Sequence, residues 1–423
     1  MYSEMFKPDE PIIRSLLDID FYKFTMGQLI YLLYPSVNTT FKLTNRTKSV
    51  RLAEEVRIEQ LREELDHART LRLSFKKTGQ HYSRGTNEYQ EKMFCEDYLA
   101  FLSELRLPEY ELEKRDGQFH LEFPGIWAEN TYWEIIGLEI VSELRNRALL
   151  EKMTRAEREA LFKTGRLRLE EKIKKLKERP DITFIEFGTR RRFSKAWQDY
   201  VIQRLKEELP SSQFLGTSNT YFAKKHWLSP MGTYAHERDQ TLAGIMDDGT
   251  NDWMEKAILQ SLNEWWNMYG PGLSIALSDT FGTDFFLRVM TPEQARNWKG
   301  IRQDSGDPFK IGEKIIAFYK KHKVNPREKV IVFSDGLDID LIFRLFDRFS
   351  ERIKCVFGWG TNLTNDLGLR TISLVVKAIR ANGRGLVKLS DNLAKVIGAP
   401  EDIKRYKSAC DYDSSAVFTE CKY

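Results

Sequence analysis

The sequence predicts an α/β protein in which an irregular TIM-like barrel is joined by a second, discontinuous α+β domain drawn from both ends of the chain. Three observations predict it. Between residues 180 and 367 lie seven short apolar runs, each closed by a polar or Gly-containing loop. Strands that apolar keep no face in water, which is the mark of parallel strands covered by helices. The runs follow no fixed period, which argues against a repeat array. Finally, 423 residues exceed one ordinary domain, and a hairpin-like segment near the C-terminus falls outside the βα series, so it most naturally joins the N-terminal segment. The division expected is 1–135 and 368–423 for the discontinuous domain and 136–367 for the barrel.

In chain order, VRLAEEVRIEQLREELDHARTL (50–71) and YQEKMFCEDYLAFLSEL (89–105) carry apolar residues at spacings of three and four and read as amphipathic helices. Asp116-Gly117, between YELEKR and QFHLEFPG, marks a hairpin turn ahead of a helix beginning near Thr131. From 151 to 179 the pattern is helical and highly charged, and its Lys-rich EEKIKKLKE reads as a solvated face. The barrel strands are then ITFIEFG, QFLG, PMGTYAH, LSIALSDT, KGIRQDSGDP, KVIVFSDG and IKCVFGWG. ISLVVKAIRANGRGLVKLSD reads as a hairpin that leaves the barrel.

Composition narrows the function classes. Hydrophobic residues make up 41%, charged residues 30% and aromatics 12%, as in a soluble globular protein. A net charge of +4 is too slight for a nucleic-acid binder and leaves room for a small anionic substrate. Cys95, Cys355, Cys410 and Cys421 form no C-x-x-C pair, so neither a zinc site nor a disulfide framework is expected. The apolar run around Leu29 to Leu33 is far short of the roughly 18 residues of a membrane span, and the N-terminus has no signal-peptide pattern. A cytoplasmic location is expected.

In barrels of this kind the chemistry sits at the carboxyl ends of the strands. The proposed strand ends carry Glu186 and Arg190, Ser218 and Asn219, His236 and Glu237, Asp279 and Thr280, Arg302 and Asp304, Asp335 and Asp338, and Gly358, Gly360 and Thr361. Any one of the Asp, Ser or Asn residues could simply cap the next helix. Seven polar ends in register point further, to a phosphorylated sugar, with carboxylates on hydroxyls or Mg²⁺ and backbone N–H groups on phosphate. His236, at a strand end, suits a general base, a metal ligand or a nucleophile, and spacing does not choose among them.

The motifs IDFYKFTM (19–26), EFGTRRR (186–192), FLGTSN (214–219), PMGTYAHE (230–237), LSDTFGTD (277–284), IRQDSGDP (301–308), FSDGLD (333–338) and GWGTNLTND (358–366) together resemble the nicotinate phosphoribosyltransferases. The resemblance runs from about residue 15 to the C-terminus. It implies a homodimer with shared active sites and transfer of phosphoribosyl from phosphoribosyl pyrophosphate to nicotinate, giving nicotinate mononucleotide and pyrophosphate, with ATP as co-substrate and Mg²⁺ held mainly through substrate. His236 matches the histidine that ATP phosphorylates, Asp304 matches a ribose-facing carboxylate and Asp279 belongs to the same polar cluster, and these three are the expected catalytic residues. Tyr22, supplied by the partner subunit, and Phe187 match the aromatic pair around the pyridine ring. Arg190 and Arg302 match positions that meet phosphate and the nicotinate carboxylate. Asp335 matches a ribose-facing carboxylate, and Gly360, Thr361 and Asn362 the 5′-phosphate loop. Ser218 stands where the nicotinamide-using relative has aspartate, which favours the acid as substrate. Ile19, Gln303 and Trp359 depart from the usual pattern.

Two other classes fit the residues less well. A metal-dependent barrel hydrolase would use Asp279, Asp304, Asp335 and His236 as ligands, but only one histidine lies at a strand end. A non-catalytic scaffold would leave the polar strand ends without purpose.

Overall fold

The computed structural model describes residues 5–73, 93–250, 252–412 and 418. Seven parallel strands form one curled sheet: β4 (Phe184–Glu186), β5 (Phe214–Thr217), β6 (Ser229–Pro230), β7 (Ile275–Leu277), β8 (Gly300–Gln303), β9 (Val330–Phe333) and β10 (Lys354–Trp359). Their order is β6-β5-β4-β10-β9-β8-β7, so the barrel is irregular and β6 and β7 are its edges. Across that seam Leu277 N donates to Tyr234 Oη at 3.1 Å, and Arg302 Nη2 donates to Tyr234 O at 3.2 Å. Side chains thus take over where the backbone ladder stops.

Capping places the helices that cover the sheet. Asp307 accepts from Phe309 N and Lys310 N, with Pro308 opening α14 (Pro308–Lys321), and Asp338 accepts from Leu341 N to start α15 (Ile339–Phe349). The charged helix α7 (Arg155–Lys177) starts in a capping box of Thr154 and Glu157 and buries only Phe162, Gly165, Leu169, Ile173 and Leu176, so most of its lysines stay solvated.

The second sheet is antiparallel, in the order β12-β11-β1-β3-β2. Strand β1 (Asn38–Asn45) lies between β3 (Gln118–Ile126) and β11 (Leu374–Ala381), with Thr44 opposite Val375, so the two ends of the chain pair directly. Two turns have both central residues at positive φ, the geometry that suits a two-residue hairpin: Asp116 and Gly117 (52° and 71°) between β2 (Glu111–Arg115) and β3, and Asn382 and Gly383 (45° and 80°) between β11 and β12 (Arg384–Gly385). Helix α6 (Trp133–Glu151) packs between the antiparallel sheet and the Thr189–Arg191 turn that follows β4, and is buried along nearly all its length. Among the described residues, no helix is long and apolar enough to cross a membrane.

Four expectations need correction. The helix read at 50–71 is broken into α2 (Leu52–Glu55) and α3 (Ile58–Thr70), because Val56 and Arg57 extend and Val56 is buried. The helix read from residue 89 begins only at Glu96, as α4 (Glu96–Glu104); residues 89–92 lie outside the described residues. Before it, Cys95 N donates to Gln28 Oε1 at 2.7 Å and Phe94 packs on Phe21. PMGTYAH pairs as a strand only at Ser229–Pro230, and His236 opens a helix, α10 (His236–Met246). Gly232 turns the chain there, where an added Cβ would lie 3.2 Å from Tyr22 N. Finally, the hairpin does not leave the barrel for good, since Lys388 and Lys395 return to its mouth.

Candidate active site

His236 is the first residue of α10, and it reaches across the seam. Its Nε2 shares a 2.8 Å hydrogen bond with Asp279 Oδ1 and lies 3.5 Å from Asp304 Oδ2. The other oxygen of Asp279, Oδ2, accepts from Ser305 Oγ at 2.6 Å and meets Lys388 Nζ at 3.0 Å. Burial, with help from Lys388, pushes the imidazole down to about 4 against the pull of Asp279 and Asp304. At neutral pH the ring is therefore uncharged. A carboxylate only accepts, so Nε2 carries the proton and Nδ1 keeps its lone pair.

His236, Asp279 and Asp304 offer ligand atoms within 4.8 Å of one another. Both oxygens of Asp279 are already committed to protein donors, one of them a lysine, which is a poor arrangement for a resident cation. Asp304, with its side chain 28% exposed, is the better placed of the two carboxylates to take a metal brought in by substrate.

At the opposite side of the mouth, the chain leaving β4 turns sharply. Gly188 is required there, because a Cβ would lie 2.0 Å from Thr364 Oγ1. Glu186 binds the turn from within, accepting from Gly188 N, from Gln198 Nε2 at 3.0 Å and from Thr217 Oγ1 at 2.5 Å, and burial raises its carboxyl to about 7. This turn presents Phe187 and Arg190. Arg190 Nε lies 3.3 Å from Asp20 Oδ2, whose other oxygen accepts from Ser218 Oγ at 2.6 Å. Ser218 is buried and reaches the site through Asp20. Tyr22 stands beside Arg190 of its own chain, 5.8 Å from ring centre to guanidinium. Tyr22 itself is not among the residues that line the cavity of its own chain.

Between the two lies a cavity lined by Phe187, Arg190, His236, Arg302, Asp304, Asp335, Gly360, Thr361 and Asn362, all expected from the sequence. Arg302 Nη1 donates to Thr233 Oγ1 at 3.2 Å, and Asp335 Oδ1 accepts from Lys395 Nζ at 2.5 Å. The cavity also takes Arg46, Arg191, Lys377, Lys388 and Lys395, which reading the sequence missed. Seven Lys and Arg side chains therefore face two carboxylates, Asp304 and Asp335, a balance suited to a polyanion. Residues 182–414 match the nicotinate phosphoribosyltransferase (NAPRTase) family, and residues 17–142 match the NAPRTase N-terminal domain. The chain belongs to the nicotinate phosphoribosyltransferase family. Its fold is similar to that of nicotinate phosphoribosyltransferase from Vibrio cholerae, with 31% identity, a TM-score of 0.85, and coverage of 97% of this chain and 96% of that one. The enzyme from Porphyromonas gingivalis is similar too, with 30% identity, a TM-score of 0.83, and coverage of 95% and 100%.

Family membership sets aside the hydrolase and scaffold readings. The contacts in the structure separate cavity residues from structural ones. Asp338 and Asn219 cap helices, the latter at α9 (Thr220–His226). Thr280 donates to Asp239, and Glu237 is held by Lys23, Trp127 and Thr131. Trp359 is fully buried against Phe184, so its departure from the usual pattern does not alter the cavity wall.

Proposed function

We infer that the chain transfers phosphoribosyl from phosphoribosyl pyrophosphate to nicotinate, giving nicotinate mononucleotide and pyrophosphate in NAD biosynthesis. The observation that carries this reading is the basic cavity with Phe187 and Arg190 at one side and the neutral His236 at the other. Phe187 and Tyr22, the latter supplied by the partner subunit, hold the pyridine ring. The planar guanidinium of Arg190 meets the carboxylate of nicotinate, and Ser218, by occupying Asp20, favours the acid over the amide. Arg302, Gly360, Thr361 and Asn362 take phosphate. As the bond from C1 of the ribose to pyrophosphate lengthens, the sugar gains positive charge, which Asp304 and Asp335 stabilise. The pyridine nitrogen then closes on C1.

ATP drives the cycle through His236. The Nδ1 lone pair attacks the γ-phosphorus, the N–P bond forms as the bond to ADP breaks, and Asp279 keeps the Nε2 proton on the ring throughout. Asp304 would hold a Mg²⁺ brought in with the phosphates, where the ion would screen their charge. The working unit is a cytoplasmic homodimer, with the discontinuous domain formed by 1–135 and 368–423. Incubation with γ-labelled ATP tests the central step. Wild type takes up acid-labile, base-stable phosphate and His236→Ala does not; equal labelling of the two would overturn the role of His236.

A further inference from the structure

Glu134, the second residue of α6, is fully buried, yet three cations converge on it. Oε2 lies 2.7 Å from Lys23 Nζ, and Oε1 lies 2.5 Å from Lys377 Nζ and 4.0 Å from Arg190 Nη1. The three cations come from different parts of the molecule. Lys23 follows Tyr22 in α1 (Tyr22–Leu33), Arg190 follows β4 of the barrel, and Lys377 lies on β11 of the antiparallel sheet. Two of them, Arg190 and Lys377, line the cavity. Lys23 is in turn paired with Glu237, and Arg190 with Asp20. The set thus holds three cations, buried Lys23 and Lys377 and the partly exposed Arg190, against three buried carboxylates, Glu134, Glu237 and Asp20.

We propose that Glu134 is a positioning residue for both substrates, aligning Arg190 on the nicotinate carboxylate and Lys377 on the phosphates so that one buried carboxylate links the two subsites. The idea rests on the function inferred above. Its physical basis is that a buried charge keeps its place only with a counter-charge close by. Among the described residues, Glu134 is the sole carboxylate paired with both Arg190 and Lys377. Lys377 depends on it for its proton as well. Burial pushes the Lys377 amine down to about 8, with Arg190 and Lys388 pushing the same way, and Glu134 opposes them. Without that carboxylate the amine loses its proton at lower pH, so the phosphate subsite weakens as pH rises through the neutral range.

The test is steady-state kinetics on the full chain with Glu134→Gln, which keeps the shape and removes the charge. Each KM, for nicotinate and for phosphoribosyl pyrophosphate, should rise about tenfold or more, with kcat within about threefold of wild type. The KM for phosphoribosyl pyrophosphate should begin its alkaline rise about one pH unit earlier than in wild type. In a Lys377→Met background, Glu134→Gln should still raise the nicotinate KM and leave the other unchanged. A KM effect confined to one substrate, or a fall in kcat with both KM values unchanged, would overturn the proposal and leave Glu134 a packing residue. If Glu134→Gln does not fold, Glu134→Asp keeps the charge in place but withdraws it, and about a threefold rise in both KM values is expected; unchanged values overturn the idea equally. Wild-type turnover of nicotinate in the same assay reports separately on the inferred function. Should it be absent, pyrophosphate binding by calorimetry still reads the Lys377 arm.

Discussion

The centre and the edges of the seven-stranded sheet do different work. At the centre, β10 lies between β4 and β9 in a continuous ladder, with Gly358 opposite Ile185 and Phe357 opposite Phe333. There the backbone itself is the surface, and glycines let Phe187 lie close against it. At the edges, β6 and β7 have no ladder between them, and the gap is spanned by His236 with Asp279, Arg302 with the Tyr234 carbonyl, and Tyr234 with the Leu277 amide. A rigid ladder suits shape recognition. A seam held by side chains brings ionisable groups from distant elements within bonding distance, which is what chemistry needs.

The sharpest way to break that contrast is Asp279→Asn. The amide can no longer demand a proton from Nε2, so the ring loses its preferred tautomer, and buried Lys388 loses its counter-charge. Phosphoryl transfer to the histidine should fall by about 10² to 10⁴, read as initial rate of labelling from ATP, and the melting temperature should fall too. The substitution leaves the central strands untouched, so nicotinate binding should change little. An equal loss of nicotinate affinity would mean that the seam and the centre are not separable.

Gly358→Ala attacks the other region. Its Cβ would lie 2.6 Å from the Phe187 ring and 3.2 Å from Ser334 Cβ, closer than such atoms pack. The ring must move, and one wall of the pyridine site moves with it. The nicotinate KM should rise by about tenfold to a hundredfold, while labelling of His236 from ATP stays near wild type. Loss of labelling instead would show that the centre controls the seam.

This contrast also explains what the sequence made legible. The strands were readable because continuous apolar runs are visible locally, and the strand-end rule then found His236, Asp279, Asp304, Arg190 and Arg302. Helix α10 was not readable, because Glu237, Arg238, Asp239, Gln240 and Thr241 are all buried. A helix that is polar on every side yet inside the protein has no amphipathic pattern to detect. The basic wall was missed for another reason. Lys377 and Lys388 lie in a segment recognised as a hairpin, but the direction of Lys377 is set by pairing of β11 with β1, from the other end of the chain, and that of Lys388 by its bridge to Ile397. Asp20 lies in IDFYKFTM, far in sequence from Ser218 and Arg190, and only folding brings it to them. Strand-end position likewise did not distinguish Asp304, which faces the cavity, from Asp338, which caps a helix.

The mildest perturbation of the seam is Tyr234→Phe. The ring stays packed on Trp265, at a centroid distance of 5.0 Å, while the hydroxyl that accepts from Leu277 N is removed. Leu277 is buried on an edge strand, and its amide then has no partner from β6 to replace the lost one. Leaving such an amide unsatisfied costs about 1 to 3 kcal/mol, visible as a drop of a few degrees in melting temperature. Turnover should hold within about threefold, since His236 and Asp279 keep their own bond. An unchanged melting temperature would mean that the Tyr234 hydroxyl does not help to hold the seam together.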